Sequence, residues 1–271
     1  MKVTIPPPAI LKPVKRWTGK QLISTLMKHL CPPPLPTLNL EGKSRTPNFA
    51  FGDDENEHKI LFYKSELLRG VLDKSSMGSS TLGIVHAVYE LYDADRAGLL
   101  LGAFGRVFTN FLQQAGHTCS LEDLTLTEAA DEERKMLIHK VNEEAAEGIV
   151  NFLPDAGDGK DMNATRAVSK FLSEANDSKV KLDAATQRVI NKASSNVIKA
   201  CIPNGLEKKF PYNNFSMMVL TGAKGSAVNQ SQISCFLGQQ ALEGQRVPLT
   251  ISGKTLPSFP AFDPTPRAGG F

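Results

Sequence analysis

Long apolar runs are missing from this 271-residue chain. The longest candidate, Ala97 to Phe104, is interrupted by Gly98 and Gly102, well short of the ~20 residues that a membrane-spanning helix needs. Cysteine is scarce. Cys31, Cys119, Cys201 and Cys235 lie far apart, and the sequence has no CxxC and no HxxxH pair. That pattern excludes a disulfide scaffold and a local zinc site, and it is the usage expected of a reduced intracellular chain. Charge of one sign is lacking too: 31 Lys+Arg against 28 Asp+Glu leave +3, too little for polyanion binding by bulk electrostatics. Met1 to Pro8 has no apolar stretch, so no secretory signal is expected. With 41% hydrophobic and 22% charged residues, the composition predicts a soluble globular chain of the cytosol or nucleus.

Several catalytic signatures are absent as well. No GxxxxGK[ST] loop and no glycine-rich dinucleotide fingerprint after a strand occur. No Ser–His–Asp order is suggested, and no cluster of carboxylates could hold magnesium. Taken alone, the sequence has no catalytic centre.

What is present divides the chain into three parts. Residues 5–47 are punctuated by Pro6 to Pro8, Pro13, Pro32 to Pro34, Pro36 and Pro47, which predicts mostly connecting chain. One short amphipathic helix interrupts it, capped by Thr18 and burying Leu22, Ile23, Leu26 and Leu30. Asp53 to Glu57 reads as a solvated acidic turn. Ile60 to Tyr63 and Leu67 to Leu72 read as strands around Lys64-Ser65-Glu66. A helix with Ile84, Val85, Val88 and Leu91 on one face follows, with His86 between apolar neighbours as a packed core histidine. A second helix, from about Asp93 to Gln114, directs Leu100, Phe104, Val107, Phe108 and Phe111 inward.

From Thr127 the sequence becomes charged, with Met136, Leu137, Val141, Ala145 and Ile149 at helical spacing. Pro154 to Gly159 is a turn. Val168, Phe171 and Leu172 mark another helix, and Val189, Ile190, Val197, Ile198 and Cys201 a further one that stops at Pro203-Asn204-Gly205. Narrow apolar stripes with charged outer faces suggest an antiparallel helix hairpin; the pattern leaves an ordinary bundle segment equally open.

The last third carries an apolar run, Met217 to Leu220, ending in Thr221-Gly222-Ala223-Lys224-Gly225-Ser226. Glycines let backbone amides approach an anion, and a lysine between them supplies a point charge. Both a phosphate contact and a simple tight turn fit Lys224. Amide and hydroxyl side chains follow on a predicted helix: Asn229, Gln230, Ser231, Gln232, Ser234, Gln239 and Gln240. So few charges on a polar face suit the inside of a larger assembly better than open solvent.

Several of these segments, in order, resemble the largest subunit of the eukaryotic multisubunit DNA-directed RNA polymerases. The residues are Ile5 to Ile10, Trp17 to Gln21, Leu72 to Ser75, Gly83 to His86, Thr221 to Ser226, Ser231-Gln232-Ile233 and Leu237 to Gly244. Lys208 to Pro211, Ser252 to Phe259 and Phe108 to Phe111 look closest to the RNA polymerase I version. The resemblance implies an α+β, mainly helical fold. In this reading 1–125 is a small mixed pore domain, 126–212 a funnel helical hairpin, and 213–271 a segment with an active-centre-lining helix that leads toward the bridge helix.

The resemblance also implies a role for single residues. Lys224 would face the triphosphate of the incoming nucleotide, and Asn229, Gln239, Gln240 and Arg246 would line or support the active centre. The family's magnesium is held by three aspartates of an Asn-Ala-Asp-Phe-Asp-Gly-Asp motif, which this sequence does not contain; no metal ligand is therefore expected in it, and the chain alone should be inactive. Implied partners are the other polymerase subunits, DNA template, RNA, nucleoside triphosphates and a cleavage-stimulating factor at the funnel. The implied location is the nucleus, the nucleolus for the class I enzyme. The alternative is a stand-alone helical adaptor without catalytic activity.

Overall fold

The computed structural model describes residues 3–51, 56–81, 83–153, 162–174 and 177–271. It divides into two compact units, each built from two stretches of chain: 1–120 with 210–227, and 121–209 with 228–271. The turn expected at Pro154 to Gly159 and most of the acidic turn at Asp53 to Glu57 lie outside the described residues.

In the first unit, α1 (Gly19–Leu30) begins with a reciprocal capping box. The Thr18 hydroxyl accepts from the Gln21 N–H, and the Gln21 side chain accepts from the Thr18 N–H, satisfying two donors that a helix start leaves open. Three antiparallel strands follow in the order β1 (Leu40–Lys43), β2 (Lys59–Tyr63) and β3 (Glu66–Arg69). The β2–β3 turn is only Lys64-Ser65, both at positive φ. Three bonds hold it: Lys64 N–H to Asn39 Oδ1, Leu38 N–H to Ser65 Oγ and Ser65 N–H to Leu38 C=O.

Short α2 (Lys74–Met77) leads to α3 (Ile84–Leu91) and α4 (Ala94–Ala115). Ile23, Met27, Leu38, Phe62, Ile84, Val88, Leu100 and Phe104 form the core, a period of two on the strands meeting a period of 3.6 on the helices.

Five inward assignments in this unit change. Leu22 is exposed on α1, whose buried face is Ile23 and Met27. Leu91 is exposed at the end of α3. Phe108 and Phe111 are exposed as well, because only the N-terminal half of α4 packs on α1 and α3. His86 is no core histidine: its side chain is half exposed and faces Glu90 one helical turn on, at 3.9 Å. α8 (Asn214–Thr221) completes the unit, capped by the fully buried Asn213, whose side chain accepts from the Ser216 N–H.

In the second unit, α5 (Glu128–Phe152), α6 (Met162–Glu174) and α7 (Ser178–Cys201) pack together. Leu137 and Ile138 meet Val197 and Cys201, then Val141 and Ala145 meet Ile190 and Ala193, then Ile149 and Leu153 meet Leu182. Rising numbers on α5 against falling numbers on α7 make the pair antiparallel. Met136 is exposed, so the seam starts one residue later than its spacing suggested. At the base, Thr127 N–H donates to Gly205 C=O, Leu126 bridges Leu206, and the fully buried Asp123 meets Lys208 at 3.2 Å. The amide-rich helix is shorter than expected. α9 (Ala227–Ser234) stops before Gln239 and Gln240. Cys235, just past it, shares a hydrogen bond with Cys201, and burial pushes its thiol up to about 12.

Candidate functional site

Lys224 belongs to the first unit. It is exposed on the turn that ends α8, where Gly222 takes a left-handed conformation at φ 77° and the Lys224 N–H closes back on Met218 C=O at 3.3 Å. Only glycine takes that backbone without strain. It also leaves space for neighbours: a Cβ on Gly222 would lie 2.9 Å from Arg45 Nη1 and 3.1 Å from Lys74 Cβ. Arg45, through its guanidinium, and Lys74, through its Cβ, therefore border Gly222, and both residues are exposed. Neither follows from local spacing.

Asp73 places them. Its Oδ2 accepts from Ser44 Oγ (2.6 Å), Arg45 N–H (2.5 Å), Thr46 N–H (2.9 Å) and Thr46 Oγ1 (3.3 Å), and its Oδ1 from the N–H and hydroxyl of Ser75. Burial by itself would raise this carboxyl, but the bonds from Ser44, Ser75 and Thr46 outweigh it and hold it below the usual range. Asp73 also caps α2, so the residues on either side, Arg45 in one loop and Lys74 in the next, are fixed by one side chain.

The remaining expected residues lie in the second unit. Asn229 is exposed on α9, while Gln230 and Ser231 beside it are buried. Gln240 is exposed, and its backbone N–H donates to Gly270 C=O at 2.8 Å. Gln239 is half-buried, its Nε2 donating to Gly269 C=O at 2.7 Å. Arg246 is buried, only 7% exposed. Burial lowers its guanidinium pKa against the opposing pull of Asp183. This arginine faces protein within its own unit. Arg134 of α5 holds the same segment by donating to Cys235 C=O at 2.9 Å while paired to Asp131.

Among the described residues no group of three or more His, Cys, Asp or Glu is arranged to hold a metal ion, and no helix is long and apolar enough to cross a membrane.

Comparison with known proteins adds what geometry alone does not. The family model for RNA polymerase Rpb1, domain 3, matches residues 1–124, and that for RNA polymerase Rpb1, domain 4, matches residues 161–271. The chain belongs to the Rpb1 family of RNA polymerase largest subunits. Within that family it is 44% identical over 99% of its length to DNA-directed RNA polymerase I subunit rpa1 of Dictyostelium discoideum. It is 45% identical over 98% of its length to the rpa1 subunit of Schizosaccharomyces pombe, and 41% over 100% to RPA190 of Saccharomyces cerevisiae. The chain spans 17%, 16% and 16% of those three relatives, about a sixth of the length of an Rpb1-family subunit of this class.

Proposed function

We propose that this chain is the pore-and-funnel part of an RNA polymerase I largest subunit, lining the channel through which ribonucleoside triphosphates reach the active centre. Residues 1–125 would form the pore domain, 126–212 the funnel, and 213–271 the segment beside the active centre. The observation that carries the reading is the set of cations at the Gly222 turn. Lys224 is exposed there, with Arg45 and Lys74 against the same glycine. Three exposed cationic residues bordering one glycine-relieved turn suit a triphosphate better than one does. The collinear polymerase I relatives count against the free-standing adaptor.

The assembled enzyme would add nucleotides to an RNA 3′ end on a DNA template, with other subunits as partners, in the nucleus and its nucleolus. Magnesium, when bound there, stabilises the attacking and leaving oxygens of phosphoryl transfer. Among the described residues none is arranged to hold that ion. The work of this chain is to attract the triphosphate, orient its phosphates by Lys224, and offer the funnel surface to a cleavage-stimulating factor.

Lys224→Ala in the complete enzyme tests the reading. It should raise the nucleotide KM on the order of tenfold, the worth of one charge-assisted phosphate contact, with a smaller change in kcat. Unchanged nucleotide dependence would reject the triphosphate role.

A further inference from the structure

The inner face of α7 runs Asp183, Thr186, Ile190, Ala193, Val197, a spacing of three and four. An acid at the head of that apolar seam is out of keeping with its neighbours, and it is 7% exposed. Burying a carboxylate is costly unless hydrogen bonds and charge compensate. Asp183 accepts the backbone N–H of Arg246, with the charges of Arg246 and Lys179 nearby; burial still wins and raises its pKa.

Arg246 carries the connection onward. Its Nη2 reaches Thr265 C=O at 3.4 Å. Its guanidinium lies so close to Gly269 that a Cβ there would fall on the guanidinium itself. The Gly269 and Gly270 carbonyls are the two that accept from Gln239 Nε2 and the Gln240 N–H. A continuous path of contacts thus runs from α7 through Asp183, Arg246 and Gly269 to the two glutamines. Asp183 Oδ2, Arg246 Nε and Thr255 Oγ1 have no protein partner, and these residues line one cavity of about 40 Å³. That is room for a single water with three polar neighbours, the number that buried waters usually have.

We propose that Asp183 and Arg246 are positioning residues, a buried clasp by which helix α7 fixes the loop that presents Gln239 and Gln240. The consequence for activity rests on the reading that those glutamines stand beside the active centre; the clasp itself does not. Buried charges that meet through a backbone N–H and not as a close ion pair are weak evidence of stabilisation. Apolar residues would fill this site at least as well, but they would leave the 239–246 loop free to choose its register on α7. The polar groups make one register specific, through an N–H to a carboxylate on one side and a guanidinium under a glycine on the other.

The test uses the complete polymerase assembled with Asp183→Ala, Asp183→Asn or Gly269→Ala in the full-length subunit. Hydrogen exchange of the 239–246 and 268–271 backbone is the first readout, and elongation at saturating nucleotide is the second. Asp183→Ala should speed exchange in those two stretches roughly tenfold while α5 residues 141–149 keep their protection, as expected for local opening. Gly269→Ala, which attacks the clasp from its other end, should do the same. Asp183→Asn keeps an acceptor for the Arg246 N–H and should restore most of the protection.

Exchange that does not change at 239–246, or that rises equally in α5, would overturn the clasp as a positioning device. Elongation should fall several-fold in Asp183→Ala, and fall no further when Gln240→Ala is already present. Loosened exchange with normal elongation would uphold the clasp and remove the glutamines from the active centre.

Discussion

Asp73 in the first unit and Asp183 in the second are buried aspartates that each hold two distant stretches of chain together, and they do so by opposite means. Asp73 in the first unit is surrounded by donors from Ser44, Arg45, Thr46 and Ser75, and its carboxyl is held below the usual range. Asp183 in the second unit accepts the Arg246 N–H, keeps one oxygen without a protein partner, and is raised. Nearly equal burial, 5% against 7% exposure, therefore does not decide the energetics. The number of donors does. Asp73 stabilises a rigid loop pair that sets Arg45 and Lys74 beside Gly222. Asp183 contributes less to stability and more to the choice of one loop position.

Changing each aspartate to asparagine separates the two cases most sharply. In Asp73→Asn an NH₂ group must replace an oxygen, and both oxygens now receive donors only, so donor meets donor. The cost should be about 1–3 kcal/mol, the range for a buried polar group left mispaired, and toward its upper end because several donors lose their acceptor. Asp183→Asn keeps its acceptor and can turn the amide toward the cavity that Thr255 lines, so it should cost about 1 kcal/mol or less. Buried thiols report on each unit separately: Cys31 in the first, Cys201 and Cys235 in the second. Pulsed thiol labelling should accelerate more at Cys31 than at Cys201 in Asp73→Asn. Equal acceleration at both would erase the distinction. In Asp183→Asn the labelling rates should stay close to those of the unsubstituted chain.

Neither buried aspartate of this contrast was anticipated from the sequence, because each acts between segments far apart in the chain. Local signals elsewhere were readable: the Thr18 cap, the strand–turn–strand around Lys64-Ser65, and the three-and-four spacing of Val141, Ala145 and Ile149. Such patterns depend on neighbours within one or two turns. Phe108 and Phe111 misled because periodicity marks a face without saying whether anything covers it. The approach of Arg45 and Lys74 to Gly222, and of Cys235 to Cys201, depends on segments far apart in sequence and leaves no local trace. The same holds for the way 210–227 pack with the first unit and 228–271 with the second. Arg246 was singled out, but its burial was not foreseen. One available signal was Asp183 itself, an acid in register with Thr186, Ile190 and Ala193 on an otherwise apolar stripe.

The smallest expected effect is a difference in acid response, and its sign follows from the two shifts. Asp73 is lowered in the folded chain, so its stabilisation is complete above the ordinary carboxylate value of 3.8 and is lost as pH falls through its lower folded value. Asp183 is raised. Its folded form binds a proton at a pH where the unfolded chain does not, so stability increases as pH falls through the raised value toward 3.8 and gains nothing further below it. Acidification from neutrality should thus relieve the second unit before it weakens the first. The first unit holds the single Trp17, whose fluorescence can follow its urea midpoint, while the helix signal at 222 nm adds α5 and α7 of the second unit to α4 of the first. Other carboxylates also titrate across this range, so the informative quantity is the difference between the native chain and Asp183→Asn. The native helix midpoint should gain on that of Asp183→Asn between neutrality and pH 3.8, with no matching difference in the Trp17 midpoint. Parallel helix curves for the two proteins would mean that Asp183 is not the strained carboxylate, and that the contrast between the two buried acids does not hold.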